Sequence, residues 1–339
     1  MVLITQTPLR VSLFGGGTDY PEYYERHPGA VIGLAIDKYI YIAALPLSGH
    51  QTYNYRVSYS TVELTDSIDA IQHPVVREVL RAFDIKDRLD ISIMSDLPAT
   101  GSGLGSSSAF TVGFLSLAYS LTGRACTKID LARKAIHVER ELLHENVGVQ
   151  DQLHATFGGL NRFDFRGKQI SITPVQVPGE TMHLLSQSMV LVHTGIARRA
   201  TAIVKDQVDA TKTTSIDKDL SALFGLVEEC ASLLEGPPAS LLPALGKMLS
   251  ESWAIKRSLT KSISNAAIDD LFEAIIRAGA YGAKLCGAGG GGYFLALIEP
   301  DRIAALREAV EPHVVIPIGI DTEGSTLVYP TRVKGGWRP

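Results

Sequence analysis

The sequence predicts an α+β protein of two domains, and three observations carry that prediction. Strand-like and helical periods are mixed along the chain, strand-rich at first and helix-rich after residue 200. The 339 residues exceed what one hydrophobic core ordinarily serves. The weakest-patterned stretch, Pro174 to Gln187, falls near mid-chain and divides it into residues 1–185 and 186–339.

In order, Val2 to Phe14 and Ala30 to Leu45 read as strands, the second nearly continuous in Ile, Val, Tyr and Ala. Leu89 to Met94 alternates as a strand should. Helices follow at Ser106 to Leu121, stopped by Gly123, and at Lys128 to His144, capped by Thr127 and stopped by Asn146 and Gly148. Met189 to His193 is a strand. Helical patterns then run over Ala200 to Asp209, Asp217 to Leu234, Leu241 to Leu259 and Ile268 to Arg277, with a Pro237-Pro238 break among them. Strands at Tyr293 to Ile298 and Thr326 to Tyr329 finish the second domain, with a helix at Pro300 to Val310 between them.

The segment Pro98 to Ala109, PATGSGLGSSSA, sets three glycines and four serines between a strand and a helix. Glycines let the backbone take φ > 0 and approach a ligand closely, so successive N–H groups can converge on one anion. The helix that follows aims its positive end at the same spot. A polyphosphate is the expected guest. The P-loop is excluded because no Gly-Lys-Ser/Thr ending is present, and the dinucleotide fingerprint because Ser106 stands where it needs glycine.

Composition excludes other classes. A net charge of −4, 20% charged residues and the absence of low-complexity tracts argue against a nucleic-acid partner. No basic leader precedes an apolar signal core and no window approaches 18 uninterrupted apolar residues, so no membrane association and a cytoplasmic location are expected. The three cysteines, Cys126, Cys230 and Cys286, are odd in number and widely spaced, which fits free thiols. Cys286 abuts a glycine loop and reads as packing ahead of a reactive thiol. Nine histidines show no metal-binding spacing, and the composition admits a homodimer without requiring one.

Two further segments accompany the serine-rich loop: Thr7-Pro-Leu-Arg-Val-Ser-Leu-Phe-Gly-Gly-Gly-Thr-Asp19 and Lys284-Leu-Cys-Gly-Ala-Gly-Gly-Gly-Gly292. Together the three resemble the motifs of the GHMP kinases, the family of galactokinase, homoserine kinase, mevalonate kinase and phosphomevalonate kinase. Pro98, Gly103, Leu104, Gly105, Ser106 and Ser107 fit the central Pro-x-x-x-Gly-Leu-Gly-Ser-Ser pattern in register. The resemblance implies the GHMP kinase fold: an N-terminal domain like domain 2 of ribosomal protein S5 and a ferredoxin-like C-terminal domain. It implies ATP as donor and Mg²⁺ as its metal, with Pro98, Gly101, Gly103, Leu104, Gly105, Ser106, Ser107 and Ser108 around the phosphates and Gly289 and Gly290 closing over them. The last loop is formally Gly-x-Gly-x-x-Gly, but a strand follows it where a dinucleotide site needs a helix.

By the same resemblance Asp151, in Val147-Gly-Val-Gln-Asp-Gln152, is the general base on the acceptor hydroxyl, and Arg10 on the first strand stabilises charge in the transition state. Glu139 and Ser107 would hold the metal; Glu141 is the rival carboxylate, and the helix carries one residue more before its aspartate than the mevalonate kinase pattern. Gly16, Gly17, Thr18 and Asp19 would meet the sugar, with Gly287 from the last loop. Gly-Gly-Gly-Thr-Asp stands where galactokinase carries a Gly-Glu-His-x-Asp type of sequence, which weighs against galactose. With Thr194-Gly-Ile-Ala-Arg198-Arg-Ala, it resembles the branch that phosphorylates the anomeric hydroxyl of unusual sugars. The acceptor expected is a sugar phosphate, D-glycero-D-manno-heptose 7-phosphate, ahead of L-fucose, and Arg198 would supply charge for the phosphate already on it. A non-catalytic sensor of sugar and ATP is the reading from another class.

Overall fold

The computed structural model describes residues 1–98, 101–196, 200–236 and 240–329. The first half runs β1 (Leu3–Phe14), α1 (Pro21–Tyr24), β2 (Gly29–Pro46), β3 (Tyr55–Ser58), β4 (Val62–Thr65), α2 (Pro74–Ala82), β5 (Leu89–Ser95), α3 (Ser106–Leu121), α4 (Lys128–His137), α5 (Gln150–Phe157), β6 (Leu160–Arg166) and β7 (Gln169–Pro174). The second runs α6 (Gly179–Ser188), β8 (Met189–His193), α7 (Ala200–Lys212), α8 (Asp217–Leu234), α9 (Leu241–Leu259), α10 (Ala266–Arg277), β9 (Gly282–Leu285), β10 (Tyr293–Leu297), α11 (Ile303–Ala309), β11 (Val315–Pro317) and β12 (Thr326–Tyr329).

An eight-stranded sheet carries the order β12-β1-β2-β5-β3-β4, and β6 and β7 extend it from β2. The buried first half of β2 explains its apolar run: eight successive residues from Gly29 are covered on both faces. Helix α3 packs directly on this sheet. Gly113 makes the approach possible, since a Cβ there would stand 2.6 Å from Thr7 Oγ1. The other sheet has four strands in the order β11-β8-β10-β9, all antiparallel. Numbered within that domain the order is 4-1-3-2, the ferredoxin-like arrangement that was expected. Its strands β9 and β10 are buried on both faces, with Trp253 of α9 edge-on to Phe294.

Three elements differ from expectation. Thr326–Tyr329, expected to finish the second domain, pairs with β1 in the larger sheet and covers its edge. The helix expected over Lys128 to His144 keeps α-helical form only to His137; Val138–Leu142 forms a π turn. The Leu143 N–H donates to Val138 O at 3.0 Å, the i→i+5 bond of that form. The stretch read as weakly patterned holds α6, which leads into the first strand of the second sheet. No helix among the described residues is long and apolar enough to cross a membrane.

Candidate functional site

A cavity of about 730 Å³ lies against the ends of β1, the N-terminus of α3 and the last glycine loop. Gly101, Gly103 and Gly105 have φ of 72°, 75° and 72°, the left-handed region the sequence reading required. At Gly103 a Cβ would stand 2.6 Å from the carbonyl oxygen of Cys286, so the phosphate loop and the last loop touch through bare backbone. At Gly105 a Cβ would crowd the Arg10 side chain at 3.1 Å and Asp151 Oδ2 at 3.3 Å. Ser106 opens α3 here, which puts the positive end of the helix at the loop.

Arg10 and Asp151 form a fork. Arg10 Nε donates to Asp151 Oδ1 and Nη2 to Oδ2, both at 2.7 Å, while Nη1 donates to Gly103 O at 2.6 Å. The Arg10 main-chain N–H also donates to Leu104 O at 3.0 Å. The two side chains are 6% and 25% exposed, so the carboxylate faces the cavity while the guanidinium stands behind it. Burial disfavours the charge on Arg10, but the neighbouring Asp151 outweighs that and its pKa is raised.

Asp19 is buried beside them. Its Oδ1 accepts from Gly17 N at 2.9 Å and its Oδ2 from Gln150 N at 3.3 Å, which ties the Gly15–Asp19 loop to the start of α5. Burial pushes its pKa up, and the Gly17 N–H opposes that. Thr18 is buried and its hydroxyl bonds to the carbonyls of Gly15 and Ala30 at 2.8 Å, holding the loop from behind.

Glu139 sits on the π turn and is fully buried. Its Oε2 accepts from Ser108 Oγ at 2.8 Å and from Gln152 Nε2, and among the described residues Oε1 has no hydrogen-bond partner. Burial pushes its pKa up to about 7, against the neighbouring Thr111 hydroxyl and the hydrogen bonds from Ser108 and Gln152. Ser108, which bonds Glu139, and Ser107, expected as the other ligand of the metal, both line the cavity. A buried carboxylate with one oxygen unpartnered, beside serine hydroxyls at a phosphate loop, fits a hard divalent cation that takes its remaining ligands from phosphate and water. Glu141 is exposed.

Of the expected residues, Arg10, Gly16, Gly17, Asp19, Gly101, Gly103, Gly105, Ser106, Ser107, Ser108, Asp151 and Gly287 share the cavity wall. Leu104 is core, and Pro98 is exposed at the loop's entrance. Gly289 and Gly290 pack on Ile263, whose carbonyl accepts from Gly290 N at 2.6 Å. Arg198 lies outside the described residues. Four features escaped the sequence reading. Lys284, on β9, is buried and donates to Leu13 O at 2.7 Å; Lys256, on α9, donates to Gly287 O. Gln152 braces Glu139. At the other end Tyr59 meets His73 edge-on at 5.0 Å and His73 tilts against Phe110 at 4.7 Å, beside Pro74, Val75 and Ile93, an apolar slot of the kind that takes a flat base.

A phosphate loop facing a carboxylate that a buried arginine holds in place is the equipment of a phosphotransferase. The model described as GHMP kinases N terminal domain matches residues 70–159, and that described as GHMP kinases C terminal matches residues 238–315. The chain carries both domains and belongs to the GHMP kinases, a family of ATP-dependent kinases. It is 29% identical to D-glycero-alpha-D-manno-heptose 7-phosphate kinase of Campylobacter jejuni over 90% of this chain and 93% of that one. It is 26% identical to galactokinase of Pyrococcus furiosus, over 91% and 92%. Among solved structures, the D-glycero-D-manno-heptose 1-phosphate kinase from Bacteriodes thetaiotaomicron superposes with a TM-score of 0.76 at 21% identity, over 96% and 98%, a likeness of fold.

Proposed function

We propose that this kinase phosphorylates a sugar, transferring the γ-phosphoryl group of ATP to the anomeric hydroxyl of D-glycero-D-manno-heptose 7-phosphate. The products are heptose 1,7-bisphosphate and ADP. The observation that supports the reading most is the Arg10–Asp151 fork lying against Gly103 and Gly105 of the phosphate loop, with Asp19 in the same cavity. The heptose 7-phosphate relative, alike over nearly the full length of both chains, supports this choice of acceptor.

In this scheme the loop and the α3 N-terminus bind the phosphates, and the aromatic slot takes the base. Asp19, with Gly16 and Gly17, orients the sugar. Asp151 accepts the proton of the anomeric hydroxyl as its oxygen attacks the γ-phosphorus and the bond to the β-γ bridging oxygen breaks; ADP leaves with that bond's electrons. Arg10 fixes Asp151 at both oxygens and supplies positive charge near the transferred group. Magnesium, when bound, would neutralise phosphate charge, held by Glu139 and the hydroxyls of Ser107 and Ser108. Arg198 would add a charge toward the phosphate on the acceptor.

The test is ADP release with a panel of heptose 7-phosphate, free heptose, mannose and L-fucose. The highest kcat/KM is expected for heptose 7-phosphate. A preference for L-fucose overturns this acceptor, and no sugar-dependent turnover at all would make the chain a sensor.

A further inference from the structure

Two buried or half-buried amines on the second-domain wall of the cavity have no role in the chemistry above. Lys284 is 4% exposed, yet among the described residues no carboxylate pairs with it; its hydrogen bond is to Leu13 O. The groups acting on it electrostatically are Lys256, Arg10 and the thiols of Cys286 and Cys230, and burial with the neighbouring Lys256 lowers its pKa to about 7. A buried ammonium without a counter-ion, next to further cations, is costly unless an anion completes the site. The ammonium carries three donors and the main chain takes one, which leaves two for a ligand.

Position says which part of a ligand this is. The bond to Leu13 O anchors Lys284 two residues before the Gly15–Asp19 loop, the part of the cavity assigned to the sugar. Lys256, on α9, donates to Gly287 O and lines the same cavity as Ser252, Gly16 and Gly17. The donor phosphates already have their own amide-lined site on the first domain, at Gly101 to Gly105 and the α3 N-terminus. We infer that Lys256 and Lys284 together bind the phosphate monoester that the acceptor sugar already carries, and so select phosphorylated over free sugars. The inference rests on the acceptor proposed above.

The experiment compares kcat/KM for heptose 7-phosphate and for the unphosphorylated heptose in wild type, Lys256→Met and Lys284→Met, with KM for ATP measured alongside. Each substitution should lower the preference for the phosphorylated sugar by about 10- to 100-fold, the worth of one charged hydrogen bond. KM for ATP should stay within about threefold. Lys256 is half-buried, so its variant keeps the test open should Lys284→Met fail to fold. Inorganic phosphate supplies a second readout: it should raise the melting temperature of wild type more than that of Lys256→Met. A wild type without preference for the phosphorylated sugar overturns the acceptor assignment. A wild-type preference that both variants retain, or a rise in KM for ATP in place of its loss, overturns the lysine assignment alone.

Discussion

Glu139 should make the stability of the ligand-free protein fall as pH rises, and a divalent cation with nucleotide should reverse the fall. The carboxyl is fully buried and its pKa is raised by burial from 4.5 to about 7. A folded-state value above the unfolded one means that the folded chain holds the proton more tightly. That contribution is complete below about pH 4.5 and disappears as pH climbs through about 7. At roughly 1.36 kcal/mol per pKa unit, the loss between pH 5 and pH 8 is about 2.5 kcal/mol. Glu139→Gln cannot ionise and should lack this slope. The assay is urea unfolding of both proteins at pH 5 and pH 8, followed by the fluorescence of buried Trp253. The stability of Glu139→Gln relative to wild type should grow by about 2.5 kcal/mol over that interval. With magnesium and ADP present the gap should shrink, because the cation binds the ionised form. An unchanged difference between the two proteins across the pH range would refute the reasoning.

Other expectations follow from the same geometry. Asp151→Asn should retain ATP binding, measured by calorimetry, while kcat falls roughly 10²- to 10⁴-fold, the contribution of a positioned base; a kcat within a few-fold of wild type would remove Asp151 from that role. In a magnesium titration, Glu139→Gln should raise the half-saturating concentration, whereas Glu141→Gln, at an exposed position, should leave it unchanged. Gly103→Ala puts a Cβ 2.6 Å from the Cys286 carbonyl oxygen at φ 75°, so it should destabilise by more than the roughly 1–2 kcal/mol of left-handed strain and should abolish turnover. Gly123→Ala, with φ of 63° and nothing within 4 Å of its Cβ, is the control that shows the strain by itself.

Elements whose partners lie close in sequence, or whose glycines fix a backbone conformation, were legible; those defined by distant pairing were not. The Ser106–Leu121 helix and its loop were read to the residue, because φ > 0 at Gly101, Gly103 and Gly105 is a local demand. The four-residue strands β3 and β4 escaped, since β3 is held by a parallel pairing with β5 more than 30 residues on. The β6–β7 hairpin carried a readable signal that was passed over: Phe163 and Phe165 alternate up to Gly167-Lys168, and Ile170 and Ile172 alternate after it. Thr326–Tyr329 was recognised as a strand, but no local pattern tells which sheet edge it covers. Lys256 and Lys284 were missed for a related reason. On α9 a lysine reads as a solvated face, and only the packing of the two domains gives either amine a cavity to line.

The three serines that open α3 show where motif matching stops and geometry takes over. Successive helical residues point about 100° apart, so Ser106, Ser107 and Ser108 set out in different directions. Both Ser107 and Ser108 line the cavity, but Ser108 is buried with its Oγ bonded to Glu139 Oε2 at 2.8 Å, whereas Ser107 is exposed. The two hydroxyls should therefore fail differently. Removing the Ser108 hydroxyl takes away one of the bonds that hold the Glu139 pKa down, so Ser108→Ala should move that pKa further up and shift the pH dependence of unfolding with it. Ser107→Ala should leave that pH dependence in place and raise the magnesium requirement for turnover. Unfolding curves over pH 5 to 9 and magnesium titrations of both variants separate the two roles. If Ser107→Ala displaces the pH transition and Ser108→Ala does not, the carboxylate is partnered by Ser107 in solution and the order of the two serines is reversed.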